Sequence, residues 1–213
     1  MSKSEQVDRR GLGRRIAIAA VVLVLLVTAL LLRAIEQPRE QAAELLQQVQ
    51  ALEIGQTPYS QIEQLVAEYS GRSTCYEDDC SVRFDNAWMH RLGLAPMTQL
   101  QVMLHRRESR LSGINLAMMV TGATLQQPPR ATAMVFDAPP QGDSPAWRAV
   151  ITDDANGRPV KTFVQISTQA QAEQRKAAYG FNLSCLTRRG GCQTSRELLP
   201  GVWKNAQRVE WVR

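Results

Sequence analysis

The sequence has few of the residues on which most enzyme chemistry depends. It contains only two histidines, and no G-x-S-x-G elbow, Walker loop, dinucleotide fingerprint, H-E-x-x-H motif or kinase element accompanies them. His90 lies in a short helical stretch and His105 ends a predicted strand, so the sequence places neither beside a nucleophile and an orienting carboxylate. The sequence therefore favours a non-enzymatic role and identifies no catalytic, cofactor-binding or metal-binding residue.

The spacing of a metal site is also missing. Two clusters offer the oxygen ligands that hard cations prefer, but neither has the spacing of an EF-hand loop: Glu77-Asp78-Asp79 and Asp153-Asp154-Ala155-Asn156. We expect the first cluster to be a solvated turn. The second precedes Gly157 and is typical of the turn of a β-hairpin.

Charge is absent from one long stretch near the N-terminus. The 17 residues from Ile16 to Leu32 are uncharged and are bounded by Arg15 and Arg33. This length is near the lower limit for a helix that crosses the hydrocarbon core, and arginine stems at both ends can extend it into the interface. The stretch is apolar on all sides and has no A-x-A cleavage site. We therefore expect an uncleaved transmembrane signal-anchor helix over residues 16–35, with a cleaved signal and a soluble core helix as alternatives.

Basic residues close to this helix indicate its orientation. Five lie before it and two follow shortly after it: Lys3, Arg9, Arg10, Arg14 and Arg15, then Arg33 and Arg39. Because lysine and arginine stay on the cytoplasmic side, the sequence predicts a cytoplasmic tail over residues 1–15 and an extracytoplasmic C-terminal region. The tail has five basic and two acidic residues, so it supplies +3 of the net charge of +5. The remainder is close to neutral, which disfavours nucleic-acid binding.

Cysteine is absent before Cys75, which excludes a lipid-modified cysteine at the end of the anchor. The four cysteines form two local pairs, Cys75 with Cys80 and Cys185 with Cys192, all in the region expected to lie in an oxidising compartment. An even count there favours disulfide bonds. Their spacing fits a zinc site poorly, and free thiols are the other alternative. The sequence alone leaves all three disulfide pairings open.

Helical periodicity occurs at both ends of this region. A stalk helix is predicted over residues 36–55, with Pro38 in its first turn and an apolar stripe: Ala42, Leu45, Leu46, Val49 and Leu52. The stripe either packs on the following domain or forms a dimer seam, and packing is favoured because the stripe is too short for a coiled coil. Further helices are predicted with Thr57 as N-cap and Pro58 in the first turn, with Ser167 or Thr168 as N-cap and an end near Tyr179, and over Ser195 to Leu199.

Between these helices, apolar residues alternate with polar ones, as in strands with one buried face. The predicted strands are 82–85, 100–104, 114–120, 131–136, 147–152 and 160–167, with a possible last one at 207–212. Turn-rich pieces at 126–130 and 137–145 separate some of them. The sequence therefore predicts an α+β domain over residues 56–213, with a mainly antiparallel sheet and flanking helices.

Five arginines lie in two predicted loops, and they would form an anion-binding surface if folding brought the loops together. They are Arg106, Arg107, Arg110, Arg188 and Arg189. Solvated loops are the favoured interpretation.

These features predict a membrane-anchored extracytoplasmic interaction or structural module of the cell envelope. Its expected partners are the lipid bilayer, through residues 16–35, and an envelope protein. One alternative is an anchored hydrolase or other enzyme, which would require His90 or His105 to meet a carboxylate and a nucleophile in a cleft. The other is a filament subunit, because an apolar N-terminal helix before an α+β head with a cysteine loop is similar in outline to pilins. The glycine and following glutamate of the pilin cleavage point are absent here.

Overall fold

The computed structural model describes residues 3–121, 129–140, 142 and 144–210, without the side chains of residues 3–14, 205 and 207–210. The chain divides into two compact units, Met1–Gln37 and Pro38–Arg213. Several predicted features lie wholly or partly outside the described residues: the basic side chains of the tail before Arg15, parts of the turn pieces at 126–130 and 137–145, and the end of the strand at 207–212.

The first helix, α1 (Lys3–Gln50), contributes residues to both units. By length and composition, the part of α1 from Arg15 to Gln50 could cross a membrane. No residue in its most apolar stretch is buried. A signal sequence meets the same criterion. The prediction of a separate stalk helix that starts at residue 36, with Pro38 in its first turn, is wrong, because α1 continues through Pro38. The proline removes one backbone donor without ending the helix.

The second unit contains one eight-stranded sheet with the order β1-β2-β3-β4-β5-β7-β6-β8. Neighbouring strands are antiparallel except for the parallel pairs β5–β7 and β6–β8. The mainly antiparallel sheet of an α+β fold is therefore confirmed. The strands are β1 (Ser73–Tyr76), β2 (Asp79–Asp85), β3 (Thr98–Arg107), β4 (Arg110–Val120), β5 (Ala131–Ala138), β6 (Trp147–Asp153), β7 (Pro159–Ser167) and β8 (Gln207–Glu210).

Within the described residues, four short α-helices accompany the sheet: α2 (Tyr59–Ala67), α3 (Ala87–Arg91), α4 (Ala172–Tyr179) and α5 (Ser195–Leu198). Two 3-10 helices, Leu183–Leu186 and Pro200–Asn205, lie on either side of α5 in the sequence. Two predicted caps are wrong. Thr57 does not cap α2, because its Oγ1 accepts a hydrogen bond from the backbone N–H of Glu53. The helix predicted from Ser167 or Thr168 begins later, where Gln171 and Gln174 form a capping box.

Strand alternation gives the sheet two unlike faces. The side chains of one set, such as Leu116, Val135 and Val164, are buried in a single hydrophobic core. Helices α1, α2, α4 and α5 contribute their buried residues to the same core, so we call this side the covered face. The predicted apolar stripe of α1 lies in this core, with Leu45 and Val49 fully buried. Packing on the domain is therefore its role, and the dimer-seam alternative is wrong.

Candidate functional site

The opposite side of the sheet, which we call the open face, carries a group of apolar side chains. Six of them form what we call the apolar patch: Ala117, Met119, Met134, Phe136, Val150 and Phe163. All six are half-buried, and none belongs to the hydrophobic core or packs against it. Among the described residues, the buried hydrophobic side chains of α1, α2, α4 and α5 lie in the core instead. The patch is therefore a candidate surface for binding.

Strand register makes the patch continuous. Ala117 pairs with Met134 across β4 and β5, Met134 pairs with Phe163 across β5 and β7, and Phe163 pairs with Val150 on β6. The rings of Phe136 and Phe163 have centroids 5.0 Å apart. Met103 on β3 stands apart, because Asn115 lies between it and Phe136.

Polar side chains border the patch on both sides. On β3, which adjoins the patch, Gln99 and Gln101 pair with Met119 and Ala117. Beyond them on β2, the open face carries Asp79, Ser81, Arg83 and Asp85, and the last two form a long ion pair of 3.9 Å. On β6 and β7, Arg148 and Lys161 are exposed on the same face. A central apolar area with a polar border is the arrangement found at protein–protein interfaces.

His105 is the one predicted candidate for catalysis that meets a carboxylate. Its Nδ1 lies 2.6 Å from Asp79 Oδ1, and its Nε2 lies 2.7 Å from Asn115 Nδ2. Both ring nitrogens are therefore occupied by side chains of the same protein. The nearby Ser112 hydroxyl donates to the backbone carbonyl of His105 at 3.1 Å and not to its ring. This arrangement lacks the free nitrogen and the paired nucleophile of a hydrolytic site. His90 is exposed on α3.

The acidic cluster at the β1–β2 turn contacts two basic side chains. Asp79 contacts His105, as described above, and Asp78 contacts Arg106. Arg106 donates to Asp78 Oδ1 through Nε and Nη2, each at 3.1 Å, and to the carbonyl of Glu77 at 2.9 Å. Its guanidinium also lies 5.0 Å from the centroid of the Tyr59 ring. In the described part of the chain, no group of three or more histidine, cysteine, aspartate or glutamate residues could hold a metal ion.

The two arginine-containing loops lie at opposite ends of β3. Arg106 and Arg107 end that strand, whereas the loop of Arg188 and Arg189 reaches its beginning through a hydrogen bond from Gly190 N to Leu94 O of 2.7 Å. Arg188 itself pairs with Glu197 at 3.0 Å. A combined anion-binding surface is therefore wrong, because ten strand residues separate the two groups.

A buried polar network on the covered face was missed by sequence reasoning. Asp137 is only 1% exposed and accepts hydrogen bonds from Tyr179 at 2.8 Å and from Arg175. Burial raises the pKa of the Asp137 carboxyl, although Tyr179 and Arg175 each lower it. Burial also raises the pKa of Tyr179 well above its ordinary value. The sequence does contain a signal for the burial of Asp137. Side chains alternate along a strand, so position 137 lies on the same face as Ala133 and Val135, which is the core face.

A cleft of about 540 Å³ lies beside this network. Residues 50–54 and 56, Thr168 and Arg175 line it. The Arg175 guanidinium already donates to Asp137 and to the carbonyl of Ser167, at 3.3 Å, so its charge is used within the fold. Glu53 adds a carboxylate to the lining. The cleft therefore lacks a concentrated charge of one sign with which to select an ionic ligand.

The four cysteines pair with their neighbours in sequence. Cys75 and Cys80 lie at disulfide distance across β1 and β2, with their Cα atoms 4.0 Å apart. Cys185 and Cys192 lie at disulfide distance with Cα atoms 5.2 Å apart, and both are fully buried in the core. The first pair links the edge strand to its neighbour, and the second closes the loop that contacts Leu94.

Three comparisons with known proteins gave no match: no family model, no curated protein and no solved structure is similar to the chain.

Proposed function

We propose that this chain is a membrane-anchored protein-interaction module of the cell envelope. The observation that carries the proposal is the apolar patch on the open face of the sheet. Contiguous apolar side chains that do not join the core of their own domain are typical of surfaces that bind a partner. The polar border around the patch supports a protein partner, because such interfaces combine an apolar centre with a polar rim.

In this proposal, residues 16–35 cross the bilayer as a single-pass signal-anchor, residues 1–15 face the cytoplasm, and the domain at 56–213 is extracytoplasmic. The apolar length of α1 and the excess of basic residues before it support this topology. The two cysteine pairs support an oxidising compartment. Protease added to right-side-out membrane vesicles should digest the domain, and inverted vesicles should protect it.

An anchored hydrolase is less well supported by the geometry. His105 meets a carboxylate, but Asn115 occupies its second nitrogen, so the ring has no position from which to deprotonate a nucleophile. The single cleft that we describe has Arg175 in its lining and neither histidine.

Site-specific photocrosslinking in the native membrane tests the interaction function. A photoreactive phenylalanine analogue replaces Phe163 in the patch, and the matched control carries the analogue at Trp88, an exposed aromatic position on α3. We expect a discrete light-dependent adduct with an envelope protein from position 163 and not from position 88. Equal or absent labelling at the two positions would contradict the proposal.

A further inference from the structure

The shape of the apolar patch limits what can cover it. Its residues lie on four neighbouring strands, β4, β5, β7 and β6, which gives a width of about 14 Å at the usual strand spacing. Along the strands it extends from the level of Met119 to that of Phe136, a length of about 13 Å. An α-helix with its side chains is about 10–12 Å wide and advances about 11 Å in two turns. The patch therefore has the footprint of one helix.

A second sheet fits this face less well. When two sheets pack face to face, the inner side chains are apolar on all the strands that meet. On β2, however, the four inward positions would be Asp79, Ser81, Arg83 and Asp85, and on β6 Arg148 and Thr152 flank the apolar Val150. Packing a second copy of this sheet on the open face would desolvate these polar groups. A narrower occupant covers the patch and leaves the border in water.

The side chains of the patch also suit a helix. Met119 and Met134 are unbranched and adaptable, and methionine-rich surfaces accommodate the apolar face of an amphipathic helix. Phe136 and Phe163 add two contacting rings. Anchoring aromatic side chains of this kind contribute strongly to interfaces.

Charge differs between the two borders. On the β3 side, Gln99 and Gln101 are uncharged, and beyond them on β2 Arg83 and Asp85 offset each other. On the β6 side, Arg148 is basic and exposed, and it lies on the open face next to Val150. A partner with acidic residues over this border gains electrostatic complementarity, and a basic one is repelled.

We infer that the occupant of the patch is a single amphipathic helix of a partner protein, apolar toward the patch and acidic along the flank over β6. The inference rests on the proposed interaction function. It names the structural class and the charge of the partner segment, which the proposed function leaves open.

Mapping the photoadducts tests the shape of the partner. Photoreactive residues at Met119, Val150 and Phe163 in the full-length protein are crosslinked in the native membrane, and the partner residues attached to each are identified by mass spectrometry. We expect the three positions to label one partner segment at intervals of three or four residues, with acidic residues beside the site labelled from position 150. The inference would be overturned if the labelled residues of the partner were two residues apart, as in a strand, or if basic residues flanked the labelled segment.

Charge reversal tests the acidic flank. Arg148→Glu is introduced into the Phe163 photoprobe protein, and Arg189→Glu in the second cysteine loop is the matched control. We expect the adduct yield to fall by about threefold to tenfold in the Arg148→Glu variant and to stay unchanged in the control. A partner carrying lysine at the labelled acidic position should restore the yield with Arg148→Glu. Melting temperatures equal to that of the parent protein establish that the variants are folded.

The outcomes separate this inference from the proposed function. A discrete protein adduct whose yield does not respond to Arg148→Glu would overturn the acidic helix and leave the interaction function standing. Adducts between two copies of this chain would replace the partner helix with self-association. Adducts with lipid alone, or labelling no stronger than at Trp88, would overturn both.

Discussion

Met118 and Met119 are neighbours on β4, yet they lie in two different environments. Met118 is fully buried on the covered face, whereas Met119 is half-buried on the open face and lies outside the core. The same strands thus supply the packing that stabilises the domain on one side and the surface available for a partner on the other. Because side chains alternate along a strand, both roles are encoded in one stretch of sequence.

The polar networks on the two faces also differ in their exposure to water. On the covered face, Asp137 is sequestered with Arg175 and Tyr179. On the open face, Asp79 and Asn115 hold His105, whose side chain is 28% exposed. If a partner is removed, water can hydrogen-bond to the groups that remain in the partly exposed His105 network, but it hardly reaches the buried Asp137 network. Substitutions in the buried network should therefore have much larger effects.

Arg175→Met should have the largest effect on stability. It removes the cationic partner of a buried carboxylate and leaves Asp137 with the Tyr179 hydroxyl as its remaining side-chain donor. We expect the free energy of unfolding to fall by about 4 kcal/mol, measured by urea titration of the full-length protein in detergent at neutral pH. The control is Arg189→Met in the exposed loop, for which a change within about 0.5 kcal/mol is expected. A loss for Arg175→Met no larger than in this control would show that the covered face tolerates an unpaired charge.

The same network should give a pH dependence with a defined sign. Because burial raises the pKa of Asp137, the folded protein holds this proton more tightly than the unfolded chain does. The resulting stabilisation is complete below the ordinary carboxyl pKa of about 4 and is lost as pH rises through the folded pKa. Relative to Asp137→Asn, the parent protein should therefore lose stability as pH rises across this window. Urea titrations of both proteins at several pH values measure the difference, and a rising difference would contradict the raised pKa.

The adjacent methionines compare the two faces directly. Met118→Ala leaves a cavity in the core and should lower the free energy of unfolding by about 3 kcal/mol. Met119→Ala removes half-buried atoms from the open face and should cost less than about 1 kcal/mol. Both are measured by urea titration under the same conditions. Equal losses would show that another part of this chain covers the patch, which would remove its availability to a partner.

Much of the sheet could be predicted from the sequence, because alternation is a local signal. Strands β2 to β7 each include the predicted stretch. Residues 154–158 connect β6 to β7, one residue later than the predicted turn, and Asp154 Oδ1 accepts from the backbone N–H of Asn156 and of Arg158 at 2.9 Å. Strand β1 was missed because it has four residues at the edge of the sheet and no buried alternation. The parallel pairs depend on contacts between distant segments, which local patterns do not encode.

The candidate site was less predictable for the same reason. The stretch from Ile114 to Val120 shows apolar residues at both phases of the alternation, which is the local signal of a strand with two apolar faces. The apolar patch, however, exists only because β4, β5, β7 and β6 are neighbours in the sheet. Likewise, Asp79 and His105 meet through the register of β2 on β3, which no local spacing reveals.

His105→Ala should have one of the smaller effects on stability among these substitutions and should separate stability from binding. It removes two hydrogen bonds from a partly exposed network, so we expect a loss of about 1 kcal/mol by urea titration, against no measurable change for His90→Ala. His105 lies on β3, outside the apolar patch, so the adduct yield from position 163 should be unchanged. A yield that falls with His105→Ala while stability is retained would extend the binding surface across β3. The open face would then act as one continuous surface, and a single helix would be too narrow to cover it.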